Sequence, residues 1–477
     1  MNAKPPKRPV LLAGSWEESA TPLDVVNPYD GTVVASTFAA GEAELERATQ
    51  AAVAAAPGMR RLAAYERAEI LARAGDELRR RREEIGRTIA AEVGKAIRDA
   101  LAEADRGVQT FQAAAEEARR IAGEEIPIDL APHGKGRLAF TRRFPIGPVA
   151  AISPFNFPFN LAAHKLAPSI AAGNPVVLKP ASKTPLSALI LAEALDRAGV
   201  PKGALSVLPM SRATGERMVT DDRFKLLTFT GSSSVGWGMK ARAGRKRVLL
   251  ELGGNAGVVV DETADVAHAV ARIAAGGFAL AGQSCISVQR VYVHRRLYER
   301  FAAMLVEKVE ALKVGDPLDP ATDLGPMIDE DEAGRVDAWI REAVREGARV
   351  LTGGRRLGKA LYAPTVLVDV PPDAKVCAEE VFAPLVGLFP FDDFDRAVEE
   401  VNRSPYGLQA GVFTNDLRNA LAAFDRLEVG GVMVNDVSSW RMDAMPYGGV
   451  KNSGLGREGP RYAIEEMTET RIVVFAP

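Results

Sequence analysis

Across residues 42–122, apolar side chains return every three or four positions, as at Ile70, Leu71 and Leu78, within stretches rich in Ala, Leu, Glu and Arg. That period gathers the apolar side chains on one helix face, and the residue types favour helix, so the segment is predicted to be mostly helical. Beyond Pro148 the pattern becomes one of short continuous apolar runs. They fall at 149–152, 175–178, 204–208, 226–229 and 248–250, with helical periods at 159–172, 185–198 and 235–242 between them. Runs apolar at every position suit strands buried on both faces, and strand–helix alternation predicts a parallel sheet covered by helices. The alternation restarts after Gly254: a strand at 258–260, a helix over 264–278, a strand at 288–294 and a helix through Lys313. A second α/β unit is therefore expected. Two segments stand apart as short, charged and strand-like, 136–145 and 471–475. Strands that flank other units suit a small projecting sheet that pairs with another subunit.

A chain of 477 residues is too long for one ordinary core, which agrees with more than one unit. Its two cysteines, Cys285 and Cys377, exclude a disulfide framework and fit a reducing cytoplasm. A net charge of −2 offers no broad field for nucleic acid or an anionic membrane, and the basic run 79–82 reads as a solvated face. No apolar run approaches the ~20 residues of a membrane span. The start, Lys4-Pro5-Pro6-Lys7-Arg8-Pro9, lacks an apolar core behind its charges and reads as a floppy tail rather than a signal peptide. The four histidines form no metal-spaced pair, so no metal is expected, and His164 reads as structural.

Candidate chemistry gathers after the first sheet begins. Cys285 closes Gly282-Gln283-Ser284-Cys285. A reactive cysteine needs access and a lowered pKa, and a lone cysteine is more often a small buried apolar residue. Cys377 has no such company and reads as packing. Glu251 ends the run Val248-Leu249-Leu250 and precedes Leu252-Gly253-Gly254. A carboxylate at the end of a buried strand is desolvated and raised toward useful base strength. Gly231-Ser232-Ser233-Ser234-Val235-Gly236 follows a strand and opens a helix, whose N-terminal amides attract phosphate. It is neither G-x-G-x-x-G nor a Walker loop. Lys179 ends a strand ahead of Pro180, at the edge where ligands of open parallel sheets bind. Asn156, in Pro154-Phe155-Asn156-Phe157-Pro158, offers an amide donor to an oxyanion.

Asn156, Lys179, Gly231-Ser232, Glu251, Cys285, Glu380-Val381-Phe382 and Pro446-Tyr447-Gly448-Gly449, in this order, resemble the aldehyde dehydrogenase superfamily over nearly the whole chain. The resemblance implies a Rossmann-like cofactor domain (1–124 and 146–252), an α/β catalytic domain (253–445) and bridging or oligomerisation segments (125–145 and 446–477). It implies Cys285 as nucleophile, Glu251 as base, and Asn156 with the Cys285 amide as oxyanion hole. Lys179 and Glu380 would hold the ribose groups, Phe382 would pack near the nicotinamide ribose, and Gly231 and Ser232 would meet the pyrophosphate. Ser153, Phe155, Ser182, Gly236 and Leu252 complete the implied cofactor contacts. Relatives that pass the acyl group to coenzyme A generally lack the glutamate, so its presence implies hydrolysis to the acid.

Some positions depart from the family pattern. Phe155 stands where tryptophan is common, and Ala383 replaces glycine in Glu379-Glu380-Val381-Phe382-Ala383-Pro384. Where NAD-preferring relatives often carry a glutamate that would repel a 2′-phosphate, this chain has Ser182, followed by Lys183. NADP is therefore expected to be accepted alongside NAD. Arg106 and Arg441, with Phe157 and Ser284, are the implied substrate contacts. The two arginines resemble those of relatives that act on anionic aldehydes, and the C-terminal stretch is most similar to the lactaldehyde and non-phosphorylating glyceraldehyde-3-phosphate branch. The expected substrate is a small polar or anionic aldehyde, and the expected assembly a homodimer or homotetramer. A succinate-semialdehyde enzyme, an esterase acting through the same cysteine, and a non-catalytic protein retaining the fold are the rival readings.

Overall fold

Four helices occupy the alanine-rich stretch: Glu42–Arg61, Ala64–Arg80, Arg82–Val93 and Ile97–Ala118. In Ala64–Arg80 the buried face is Ala68, Ile70, Leu71, Ala74, Gly75 and Leu78, as the three- and four-residue spacing requires. Gly94, in the left-handed conformation at φ 80°, stops Arg82–Val93. The structure is a computed structural model that describes residues 5–476.

The first sheet runs in the order Ser15–Glu17, Val10–Leu12, Leu205–Val207, Val176–Lys179, Val149–Ile152, Leu226–Thr230, Arg247–Glu251, Gly454–Leu455. Its five central strands are parallel. The parallel part starts at Val149–Ile152, builds outward to Leu205–Val207, then crosses back to Leu226–Thr230 on the other side. The reversal lies between Val149–Ile152 and Leu226–Thr230. At such a switch point the two following loops diverge and leave a crevice at the carboxyl ends of the strands. Those loops are the Pro154–Pro158 stretch with Asn156 and the Gly231-Ser232 turn.

The second sheet orders Arg349–Thr352, Thr365–Val368, Leu385–Phe391, Val288–His294, Ala256–Val260, Gln409–Phe413 and Gly431–Val434. All its pairs are parallel except the edge pair made by Arg349–Thr352. Each sheet has its own large apolar core. The fold is thus mixed α/β with two mainly parallel sheets, as the alternating pattern predicts. Leu138–Pro145 and Thr468–Phe475 form a separate antiparallel ribbon, on which Leu138, Phe140, Ile472, Val473, Val474 and Phe475 are exposed.

Three findings depart from expectation. The tail is not floppy over residues 5–9: the Ser36 N–H donates to the Pro6 carbonyl, Arg8 returns a bond to the Ser36 carbonyl, and the Arg8 guanidinium meets Glu193 and Glu84. Lys4 lies outside the described residues. In the basic run, Arg81 turns inward onto Glu84 and Glu193, while Arg79 and Arg80 remain solvated. The C-terminal segment also does more than bridge, because Gly454–Leu455 pairs with the strand that carries Glu251. Among the described residues no helix is long and apolar enough to cross a membrane.

Candidate active site

A cleft of about 600 Å³ opens at the switch point. Ile152–Asn156, Lys179, Thr230–Ser232 and Glu251–Gly253 line it from the first sheet, and Gln283, Cys285, Arg335, Glu380 and Phe382 from the second unit. Among its walls are two buried polar atoms without a hydrogen-bond partner, Ser153 Oγ and Glu251 Oε2. Unpaired buried polar groups are unfavourable unless a ligand or water satisfies them, which is the condition expected of a binding crevice.

The nucleophile loop follows helix Val266–Phe278. Leu280, Ala281 and Gly282 are all left-handed, at φ 52°, 52° and 68°. Each non-glycine residue in that region costs roughly 1–2 kcal/mol. The loop holds because Leu280 and Ala281 are buried and because Gln283 locks it: Gln283 Oε1 accepts from the Ile328 N–H (2.9 Å) and Nε2 donates to the Leu280 carbonyl (3.1 Å). At position 282 only glycine fits, since a Cβ would lie 1.9 Å from the Ala383 carbonyl oxygen. The loop delivers Cys285 with its sulfur 2.9 Å from the Tyr447 hydroxyl. The lowered thiol pKa expected of a reactive cysteine is not found. Burial pushes Cys285 up to about 12, against opposing pulls from the Tyr447 hydrogen bond and Arg441.

Glu251 ends strand Arg247–Glu251 and is buried. Desolvation first, and the charge of Glu458 second, raise its carboxyl well above the usual range. Glu458 is in turn held by Arg441 (3.1 Å) and lies 3.5 Å from Lys165, whose ammonium donates to Thr228 and Thr230 (3.1 and 2.7 Å). A raised carboxylate pKa keeps Glu251 protonated at low pH, so its basic form, and any step that needs it, gains with rising pH.

Asn156 donates through Nδ2 to the Gln283 carbonyl at 2.9 Å, which ties the oxyanion loop to the nucleophile loop. Buried Glu103, paired with Lys95, accepts from the Phe159 and Asn160 N–H groups and fixes the helix that follows. Lys179 reaches the cleft from its strand end, and burial, then Arg212, pull its ammonium below the usual range. Glu380 accepts from the Gly254 N–H (3.0 Å), and burial pushes its carboxyl up to about 7. Phe155 and Phe382 meet edge to face at 6.0 Å. Gly236 lies against Leu252, which a Cβ would overlap at 2.4 Å. Ser232 is the residue before helix Ser233–Arg242 and spends no side-chain bond on its cap.

Ser182 stands beside this cleft rather than in it. It lines an adjoining groove and donates to the Met210 carbonyl, and Lys183 is already paired with Asp329. Lys183 also lines the cleft, but the basic group there beside Lys179 with no ion-pair partner among the described residues is Arg212, the first residue of helix Arg212–Thr220. Sequence reasoning passed over it. The available signal was a basic residue opening the helix after a parallel strand.

Arg106 and Arg441 converge on one carboxylate. Arg106 donates to Asp443 through Nε and Nη2, both at 2.9 Å, and Arg441 Nε lies 3.6 Å from the same group. His164 (2.9 Å) and Asn160 (2.9 Å) complete the shell of Asp443. The Arg106 side chain is 28% exposed with Nη1 unpartnered among the described residues, whereas Arg441 is 5% exposed. Phe157 lies under the Lys95 ammonium (3.7 Å) and near Arg106 (5.6 Å), and Ser284 is half-buried beside Cys285. None of these four expected substrate contacts, Arg106, Phe157, Ser284 and Arg441, lines the main cleft.

The chain is similar to known proteins over nearly its whole length. The aldehyde dehydrogenase family profile matches residues 16–473. A 3-sulfolactaldehyde dehydrogenase of Priestia megaterium is 49% identical over 467 residues, spanning 98% of this chain and 97% of its own. The crystal structure of aldehyde dehydrogenase 21 from Physcomitrella patens, in complex with the reaction product succinate, superposes with a TM-score of 0.98 at 48% identity, covering 99% of each chain. Glyceraldehyde-3-phosphate dehydrogenase GapN from Methanocaldococcus jannaschii, complexed with NADP, gives 0.92 at 38% identity over 97% of this chain and 100% of its own.

Proposed function

The chain belongs to the aldehyde dehydrogenase family and uses NAD or NADP, and on that premise we propose that it oxidises a short aldehyde bearing an anionic tail to the corresponding carboxylic acid. The observation that carries the reading is Arg106, 28% exposed, whose Nη1 is left to donate among the described residues while Nε and Nη2 hold Asp443; Arg441 is spent on Asp443 and Glu458. Two relatives support it by what they handle, 3-sulfolactaldehyde in one and succinate in the other. Both molecules place a sulfonate or carboxylate a few atoms from the reacting carbon.

In this reading the Cys285 sulfur attacks the carbonyl carbon, and the oxygen takes the electron pair as an oxyanion. Asn156 and the Cys285 N–H stabilise that charge, giving a thiohemiacetal. Gly231 and Ser232 would hold the pyrophosphate of the dinucleotide, Lys179 and Glu380 its riboses, and Phe382 the nicotinamide end. The bound nicotinamide supplies the hydride acceptor for oxidation to the thioester. Glu251 then takes a proton from water as the hydroxyl adds to the thioester carbon; the carbon–sulfur bond breaks and the acid leaves. The same reading assigns 1–124 and 146–252 to cofactor binding, 253–445 to catalysis, and the apolar ribbon Leu138–Pro145 with Thr468–Phe475 to pairing between copies.

The test is cofactor reduction on 3-sulfolactaldehyde, succinate semialdehyde, glyceraldehyde-3-phosphate, lactaldehyde and propanal, with NAD and with NADP, and with Cys285→Ala as control. Anionic aldehydes are expected to lead propanal by tenfold or more in kcat/KM; a lead for propanal would refute the proposed tail. A best rate on succinate semialdehyde would favour the second reading, to which the succinate complex of the moss enzyme lends weight. Arg106→Ala is expected to raise KM for the anionic substrates about 10- to 100-fold, the ~1.5–3 kcal/mol of a charge-assisted hydrogen bond, with propanal unaffected. Equal losses on both would assign Arg106 to structure alone. For the cofactor, Arg212→Ala is expected to raise KM for NADP about tenfold and leave NAD within about twofold, since one exposed cation facing a phosphate contributes on that order. Equal effects on both dinucleotides would remove Arg212 from phosphate selection.

A further inference from the structure

We propose that Tyr447 is a catalytic residue whose hydroxyl holds the Cys285 sulfur and donates a hydrogen bond to it in the thiolate form. The inference rests on Cys285 as the nucleophile but not on any particular aldehyde. Tyr447 is 3% exposed and packs with Ile286, Leu408, Met445 and Cys285 itself. Its backbone is clamped in both directions to Glu458: the Tyr447 N–H donates to the Glu458 carbonyl (3.1 Å), and the Glu458 N–H donates back (2.6 Å). So placed, its hydroxyl lies 2.9 Å from Cys285 Sγ and is the sulfur's one hydrogen-bonding partner among the described residues.

The Arg441 guanidinium sits 3.7 Å from the centre of the Tyr447 ring and is fixed there by Glu458 and Asp443. A cation on the ring face draws electron density from the phenol and makes its O–H the stronger donor. The direction of donation follows from the setting. Burial holds the Tyr447 hydroxyl well above its usual pKa, so the phenol keeps its proton. When Cys285 ionises, the thiol proton leaves to solvent in the cleft that Cys285 lines, and Tyr447 turns its O–H onto the sulfur. Without that donor, this half-buried thiol has little to offset desolvation of its charged form. A phenylalanine would fill the same volume and keep the cation contact, so packing alone does not explain the hydroxyl.

The experiment is alkylation of Cys285 by iodoacetamide in the full-length protein, without aldehyde or dinucleotide, with the modified site read by mass spectrometry. Below its midpoint the rate follows the thiolate fraction, partly offset by the greater nucleophilicity of a more basic thiolate. Tyr447→Phe is expected to slow alkylation about three- to tenfold at each pH between 7 and 9, with melting unchanged. Replacement of Tyr447 by 3-fluorotyrosine, a stronger donor of nearly the same size, is expected to speed it. A Phe variant alkylated as fast as the parent, or faster, overturns the proposal; so does a fluorotyrosine variant that reacts more slowly. Because the assay involves no turnover, an error in the substrate assignment leaves its result unaffected.

Discussion

Glu251→Gln is expected to release one equivalent of reduced cofactor per active site in a burst and then turn over about 10³-fold more slowly than the parent. The first half of the reaction uses Cys285 and the oxyanion donors, none of which this substitution alters. The second half needs a proton taken from water, a contribution typically worth about 10²–10⁴. Glutamine is nearly isosteric with Glu251 but cannot accept that proton, so the thioester accumulates. In the parent, burial and Glu458 hold the Glu251 carboxyl above its ordinary range, so steady-state turnover rises as pH climbs through that raised value. The same limb is expected to vanish in the glutamine variant. Rapid-mixing absorbance at the reduced-nicotinamide band checks both points. Absence of a burst, or steady turnover within tenfold of the parent, would remove Glu251 from the water-activating role.

Gly282→Ala is expected to be nearly as damaging, for a mechanical reason. Its φ of 68° is strained for any residue with a Cβ, and that Cβ would stand 1.9 Å from the Ala383 carbonyl oxygen, a backbone atom that side-chain rotation cannot move aside. The loop has to shift, and with it Cys285 three residues on. A displacement near 1 Å at a reacting atom costs on the order of 10²-fold in rate. Strain and overpacking together cost about 2–3 kcal/mol of stability. Chemical denaturation and kcat/KM measure the two effects separately. An alanine variant with parental stability and activity would mean that the loop does not require this conformation.

How far the chain could be read in advance differed by type of signal. The two sheets were legible because strands buried on both faces leave continuous apolar runs, and the 288–294 strand was placed to the residue. The N-terminal strands, Val10–Leu12 through Val33–Ala39, were not: Val10–Leu12 is buried but only three residues long, and the other three have mixed burial that carries no clean period. Glu251, Lys179 and Gly231-Ser232 stood out because each ends a strand or opens a helix at a sheet's carboxyl edge, and Cys285 because of the Gly282-Gln283-Ser284 that precedes it. Asp443, Glu458 and Lys165 did not. Their importance comes from which buried charges meet across 17 to 293 residues of chain, and no local spacing records that. Arg441 shows the gap from the other side: its residue type suggested a substrate contact, while its depth, between Glu458, Asp443 and the Tyr447 ring, came only with the fold.

Gly454–Leu455 ties the far end of the chain to the strand of the base. Ser453 extends the tie: it accepts from the Leu252 N–H (2.9 Å), its hydroxyl donates to the Gly253 carbonyl (2.7 Å), and it accepts from the Gly407 N–H (2.9 Å) in the second unit. The floor of the crevice is therefore sewn across by its own chain. Prising the halves apart like jaws would tear that seam. Opening the crevice would break those hydrogen bonds, so room for a longer or bulkier aldehyde comes at less cost from smaller side chains at the rim than from a wider gape.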